Sequence, residues 1–422
     1  MRNARFSCTS LPKQGFVGIS LFAASGLTLS EETETPPWDV SAPSYSAEVQ
    51  EIDLNVTEGT WMNLDVSPDG QHIAFDLLGD IYHIPITGGE ATPLLSGHAW
   101  EVQPQYSPDG RFLAFTSDRN GADNIWVMDL ANPDDKHQIT HESFRLLNNP
   151  SWHPSGDYLV AKKHFTTSRS LGTGEVWLYD ANVDQALARG NLQGSVLVKR
   201  PSPAFQKELG EPTFSADGES VFYIQNMTPG NTFIYHEDSN GEVMAIKRYD
   251  LETGEIEKVV GGAGGAVRPT PSPDGKTLAF VKRVRAASRL FVMDLASGEQ
   301  TMLVDDLDPD MQETWAVQGA YPTMAWTPDG KSIVYWSQGH IWRVDVGSGE
   351  TRQIPFSVND TRTAYPAVEV AVDVAPDTLT TAMPRFATQS PDGQSVIFES
   401  MGRLYVKRSD TEAKSLARDT PD

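Results

Sequence analysis

A four-residue turn phrase, Ser-Pro-Asp-Gly or a near relative, returns seven times along the 422 residues of this chain, and each copy leads into a β-branched or aromatic run. The copies are VSPDG at 66–70, YSPDG at 106–110, WHPSG at 152–156, FSADG at 214–218, PSPDG at 271–275, WTPDG at 326–330 and QSPDG at 389–393. Successive copies start 40, 46, 62, 57, 55 and 63 residues apart. Repeats of this size, each holding several short strands that cannot bury a hydrophobic face alone, are the signature of a β-propeller. The expected fold is therefore all-β, a propeller of about seven four-stranded antiparallel blades over residues 47–422.

The phrase has a mechanism. A type I turn favours Ser first, Pro second (its ring presets φ near −65°), Asp third and Gly fourth. The run after each turn reads as a strand, as in His72-Ile73-Ala74-Phe75 or Phe112-Leu113-Ala114-Phe115. A second run follows after a few polar or Gly residues, as in Asp80-Ile81-Tyr82-His83 and Asn124-Ile125-Trp126-Val127. A Gly-Glu loop and a weaker outer strand complete the unit. The six turn aspartates (Asp69, Asp109, Asp217, Asp274, Asp329, Asp392) read as scaffold rather than as a ring of metal ligands. Each can accept backbone N–H bonds within its own turn, and a feature repeated in six of seven units, with Ser155 in the remaining one, marks architecture. Two long excursions break the repeat: Lys162–Gly174 in the third unit and Asn226–Glu242 in the fourth. Loops of that length inside a tight repeat either serve a partner or decorate one face.

Thirty-three basic residues against fifty-seven acidic ones give a net charge of −24. Such a field repels nucleic acid and anionic lipid, so neither is an expected partner. Arg2, Arg5 and Lys13 precede an apolar stretch, Gly15 to Leu29, with small residues at Ala23-Ala24-Ser25. This fits a cleavable secretory signal over residues 1–30, followed by a Pro- and Ser-containing linker at 31–46, and implies a periplasmic or secreted protein. The stretch is too short and too Gly/Ser-rich for a membrane span. Cys8, the single cysteine, lies in the leader, leaving no disulfide in the exported chain.

The sequence holds no Gly-x-Ser-x-Gly elbow, no His-Glu-x-x-His and no His-x-His; the nine histidines are scattered singly. Gly261-Gly262-Ala263-Gly264-Gly265 precedes no helix and reads as a connection between blades, not a phosphate cradle. The expectation is no catalytic residue, no metal and no cofactor. Binding candidates come from geometry instead. The first strand of a blade lines the central channel, and four blades carry Pro three residues before the turn: Pro104, Pro150, Pro212 and Pro269. The residues before them, Gln103, Asn149, Glu211 and Arg268, are polar and differ in every blade, as a specific binding rim requires and as any solvated rim allows. Arg268 is the lone cation of the four, with Glu101 and Glu211 as candidate partners that would orient it. His98, Trp100, Glu313 and Trp315 on inter-blade connections, with His164 and Arg169 in the third-unit excursion, are accessory contact candidates.

These turn-and-strand units resemble TolB-type, WD-like propeller repeats. Longer phrases are similar to the N-terminal propeller of exported bacterial proteins that continue into a metal-dependent amidohydrolase domain. They include Glu58-Gly59-Thr60-Trp61-Met62, Phe75 to Tyr82 (FDLLGDIY), Phe144 to Asn148 (FRLLN), Lys163-His164-Phe165, Val267 to Gly275 (VRPTPSPDG) and Asp310 to Trp315 (DMQETW). The resemblance runs from about residue 57 to the end and implies a binding or gating module whose partner is a peptide, a protein or a separately encoded hydrolase domain. It carries over no catalytic residue, because that family's metal ligands lie beyond the matching part. Two other readings stay open: a stand-alone TolB-like envelope scaffold, and the propeller of a peptidase-type hydrolase. Ring closure is expected through the strand at 49–56 pairing with the last blade near 411–418.

Overall fold

The computed structural model describes residue 40 and residues 49–168, 171–238, 240–365, 372–378 and 380–416. The leader, Cys8, most of the linker and Arg169 lie outside them. The chain forms two compact units, Met1–Ala364 and Tyr365–Asp422. Among the described residues there are seven four-stranded antiparallel sheets, each with its strands in chain order. Six belong to the first unit, and their innermost strands are Leu64–Val66, Glu101–Tyr106, Leu147–Trp152, Leu209–Phe214, Val267–Pro271 and Ala325–Trp326. The seventh, Arg385–Gln389 through Lys414–Ser415, belongs to the second unit.

Each turn forms as its residues dictate. In the first blade Gly70 N donates to Ser67 O at 2.7 Å, and the Ser67 hydroxyl donates to Asp69 Oδ1 at 2.6 Å. Asp69 Oδ1 also accepts from Gln71 N at 2.9 Å, while Ser67 Oγ accepts from His72 N at 2.9 Å, the first residue of the next strand. The same pattern recurs around Asp109, Asp217, Asp274, Asp329 and Asp392. These hydrogen bonds hold each of those carboxyls below its ordinary pKa. In the third blade His153 stands in the Ser position and its Nδ1 meets Ser155 Oγ at 2.9 Å.

The core lies between blades. Ala74, Ile81 and Leu95 pack against Leu113, Phe115 and Met128 of the second blade. Similar layers join the second blade to the third and the third to the fourth. The largest cluster runs from Phe222 and Ile246 of the fourth blade through the fifth and sixth to Leu64, Phe75 and Tyr82 of the first, so the apolar layer passes across the join of the ring. Burial of each such aromatic contributes about 1.5–3 kcal/mol.

That join corrects the expected closure. Gln50–Val56 pairs antiparallel with Phe356–Ala364, from Gln50↔Ala364 to Val56↔Val358, and not with residues 411–418. Lys414–Ser415 pairs instead within its own sheet, against Tyr405 and Val406. The reason is that the sixth blade already meets the first. Leu64 N donates to Thr323 Oγ1 at 2.8 Å, Gly59 N to Gly339 O at 2.9 Å, and the Trp336 indole to Gly59 O at 2.7 Å. The closing strand is pinned by Arg362, whose guanidinium pairs with Asp80 at 2.5 Å. A seven-residue helix, Val183–Arg189, interrupts the third blade; Asn182 caps its start and left-handed Gly190 its end. No helix among the described residues is long and apolar enough to cross a membrane.

Candidate functional site

Four of the six innermost strands of the first unit share one irregularity that builds the site. Gln103, Asn149, Glu211 and Arg268 adopt positive φ angles of 59°, 53°, 49° and 56°. At each the ladder slips, between Val102 and Gln105, Asn148 and Ser151, Gly210 and Thr213, and Val267 and Thr270. These are β-bulges, which re-aim a side chain at a local cost, here a left-handed backbone of about 1–2 kcal/mol for each non-glycine residue. All four residues are buried.

Their side chains form a relay around the axis. Asn149 N donates to Gln103 Oε1 at 2.7 Å, and Arg268 N to Glu211 Oε2 at 2.6 Å. The Arg268 guanidinium reaches Asn149 Oδ1 at 3.1 Å, Tyr321 O at 2.7 Å and Glu211 Oε1 at 3.2 Å. Burial draws its pKa down and Glu211 opposes that shift. Two members escape a search based on proline. Asn63, bonded to buried Asp76 at 2.8 Å, and Thr323, whose N–H donates to Asn63 Oδ1 at 3.1 Å, complete the circle in the first and sixth blades. Every member of this ring stands four residues before the first residue of its turn, an offset visible in the sequence without any proline.

Two residues closer to each turn lies a second tier: Asp65, Gln105, Ser151, Thr213, Thr270 and Ala325. It lines a cavity of about 450 Å³ whose floor includes Gln103, Asn149, Glu211 and Arg268. Pro68, Pro108, Pro154, Ala216 and Pro273, the second residues of five turns, also line it, so the cavity extends to the turn end of the channel. Trp152 and Trp326 seal the blade junctions there, their indoles donating to Gln105 O at 3.1 Å and Thr270 O at 2.9 Å.

The opposite end is crossed by the chain itself. In the segment before the sixth blade, Val317 O accepts from Lys162 Nζ at 2.6 Å and Gln318 O from Gln103 Nε2 at 2.7 Å, while Ala320 N donates to Glu211 Oε1 at 2.6 Å. Gly319, at φ 119°, lies so close that a Cβ there would sit 2.2 Å from Arg268 Nη2. Lys162 is fully buried and pairs with Glu208 at 2.5 Å; burial raises the Glu208 carboxyl. His164 packs edge-on against Trp315, with centroids 5.5 Å apart, and burial lowers its pKa to about 3.

The remaining candidates sit elsewhere. Glu101 is buried against Arg119 and Ser117, away from Arg268, with its pKa raised by burial. Trp100, half exposed, stacks over Gly79, and its backbone N–H donates to Asp118 Oδ1 at 2.7 Å. His98 is partly buried on the same connection. Glu313 pairs with Arg283, which also holds Asp310 at 2.7 Å and anchors the crossing segment. The fourth-unit excursion folds back onto buried Lys207, which binds Thr228, Pro229 O at 2.9 Å and Glu237 at 3.3 Å. Among the described residues no group of three or more His, Cys, Asp or Glu converges as a metal site.

Residues 49–195 match the family model of the TolB beta propeller domain. The chain folds as a TolB-like β-propeller. TolB from Acinetobacter baumannii superposes with a TM-score of 0.50 at 16% identity, covering 72% of this chain and 66% of that one, a likeness of fold. Dipeptidyl aminopeptidase BIII of Pseudoxanthomonas mexicana is 24% identical over 255 residues, 54% of this chain and 36% of the relative. Tricorn protease homolog 1 of Streptomyces coelicolor is 24% identical over 298 residues, 70% of this chain and 25% of the relative. The TolB-like propeller thus spans about a third and a quarter of these two relatives. Both of these relatives are named as peptidases.

Proposed function

We propose that this propeller is a non-catalytic binding module of an exported protein, and that the cavity at its turn end receives the end of an extended peptide. The observation that carries this reading is the two-tiered lining. Turn prolines, which offer no N–H, lead to an uneven tier: one carboxylate, one amide, three hydroxyls and one methyl. Sixfold architecture with unlike side chains is how a symmetric scaffold gains specificity, and an apolar rim around a few placed polar groups is the usual make-up of a ligand site. Arg268, Glu211, Asn149 and Gln103 act as the floor that fixes the depth of the socket.

The relatives favour a second reading of its setting. Two are peptidases that are longer than the matched region, so the module works as the substrate-sorting propeller of a peptidase-type hydrolase. An amidohydrolase partner has only the sequence resemblance behind it. The test is retention of a pool of short randomised peptides on the full chain and on a Ser151→Trp variant, whose indole fills the cavity. Retention by the parent that falls at least about tenfold in the variant, with unchanged melting temperature, supports the socket. Equal retention by both places binding elsewhere.

A further inference from the structure

One side chain of the second tier has no counterpart in the other blades. Asp65 occupies the position held by Gln105, Ser151, Thr213, Thr270 and Ala325. It is the tier's only charge. Its Oδ2 accepts from Tyr106 N at 2.8 Å and its Oδ1 from Val66 N at 2.9 Å, and no cation stands among its interacting neighbours in the described residues. The other charged groups lining the cavity, Glu211 and Arg268, are committed to each other at the floor, and Tyr106 is the remaining titratable neighbour. The cavity therefore offers one carboxylate with no countercharge in a confined site, where an opposite charge is attracted more strongly than in open water.

We propose, building on the socket reading above, that Asp65 recognises a primary ammonium group at the inserted end of the ligand. The chemistry selects the class. A carboxylate in a confined site is stabilised by a cation, and Gln105 of the adjacent blade, with Ser151, Thr213 and Thr270 farther round the same cavity, supplies neutral oxygen acceptors. An ammonium has three donors and no acceptor, so one carboxylate and two neutral oxygens satisfy it. A guanidinium needs a planar fork against both carboxylate oxygens. Each Asp65 oxygen already holds an amide N–H, which leaves a poorer match for the fork. The group would come from a chain amino terminus or from a lysine side chain.

The experiment uses the full chain and four pools of short randomised peptides. One has free amino termini and lacks Lys and Arg; the second is the same pool N-acetylated; the third and fourth are acetylated pools with Lys or Arg restored. Retention of the first or third exceeding the second by roughly 10- to 100-fold, the span of one charge-assisted hydrogen bond, supports the proposal and names the source. Asp65→Asn should erase the preference. Should that variant fold poorly, the parent protein at about pH 5 should show the same loss, because burial raises the Asp65 carboxyl to about 7 and acid neutralises it. Equal retention of all four pools overturns the ammonium assignment, and so does retention of the Arg pool alone. The socket reading still stands in either case if Ser151→Trp abolishes retention, and absence of retention of every pool overturns both.

Discussion

Glu211 holds Arg268 twice over, accepting its backbone N–H at 2.6 Å through one carboxylate oxygen and facing its guanidinium at 3.2 Å through the other. The pair is buried and joins the fourth and fifth blades, while its remaining donors reach the third blade and the crossing segment. Arg268→Met leaves Glu211 uncompensated, with a cost of about 3–5 kcal/mol. Thermal unfolding should show a marked fall in melting temperature; an unchanged value would mean that the pair is not structural and that Arg268 is held for recognition.

Gly319 lets the chain bond to this pair on either side, through Ala320 N and Tyr321 O, with no side chain pressing on the guanidinium. Gly319→Ala places a Cβ against the guanidinium at a φ that alanine rarely adopts, so it should destabilise by at least about 1 kcal/mol. Amide hydrogen exchange at Ala320, whose N–H donates to Glu211, should accelerate before the blade strands do. Exchange that rises uniformly across the ring would contradict a local role for Gly319.

Stability should carry a pH signature from Asp65. Its folded pKa is raised to about 7 by burial, against about 3.9 in an unfolded chain. Between those values the folded state holds more protons, so stability is full below the lower value and is lost as pH rises through about 7. Asp76, raised to about 6 by burial, adds the same sign; His164, lowered to about 3, adds the opposite one as pH falls below about 6.5. The change in melting temperature between about pH 5 and pH 8 should therefore become less negative in Asp65→Asn than in the parent.

A fragment of residues 49–364 should fold by itself. It contains all six blades of the first unit and both strands of the Gln50–Val56 and Phe356–Ala364 pair that seals them. Circular dichroism and cooperative melting of the fragment check this; a broad, non-cooperative transition would refute it.

The turn carboxylates are spent inside their turns, so dialysis against a chelator should leave the melting temperature unchanged. Ser107→Ala, which removes the donor to Asp109 and the acceptor for Phe112 N, should cost about 1 kcal/mol. A chelator-induced fall reversed by calcium or zinc would reveal a metal site.

What the sequence made legible was local. The turn phrase fixes its own hydrogen bonds within five residues, so the seven sheets and their strand order follow from Ser67, Asp69 and their repeats. The floor was partly legible: proline marked Gln103, Asn149, Glu211 and Arg268, whereas Asn63 and Thr323, followed by Leu64 and Met324, carried no such mark. Asp65 was invisible as a site because its meaning lies in what the other five blades place at the same level. The closing strand was misplaced for a related reason. Pairing of Gln50 with Ala364 is a contact between the two ends of the ring, and hydrophobic alternation alone does not choose between residues 356–364 and 411–418 as its partner.

The segment from Val317 to Tyr321 has a kinetic consequence. With one end of the channel crossed by its own backbone, anything that enters from the turns must leave by the same route, and no strand can thread through. If the cavity receives peptide ends as proposed, such a receptacle would count ends, not mass. A long chain and a short one compete equally if their tips are alike, and every internal cut in a partner creates a fresh tip to be counted. Under the proposed socket reading, occupancy would then follow the number of fragments in the surroundings, and the module would gauge how far a pool of polypeptide has been broken down.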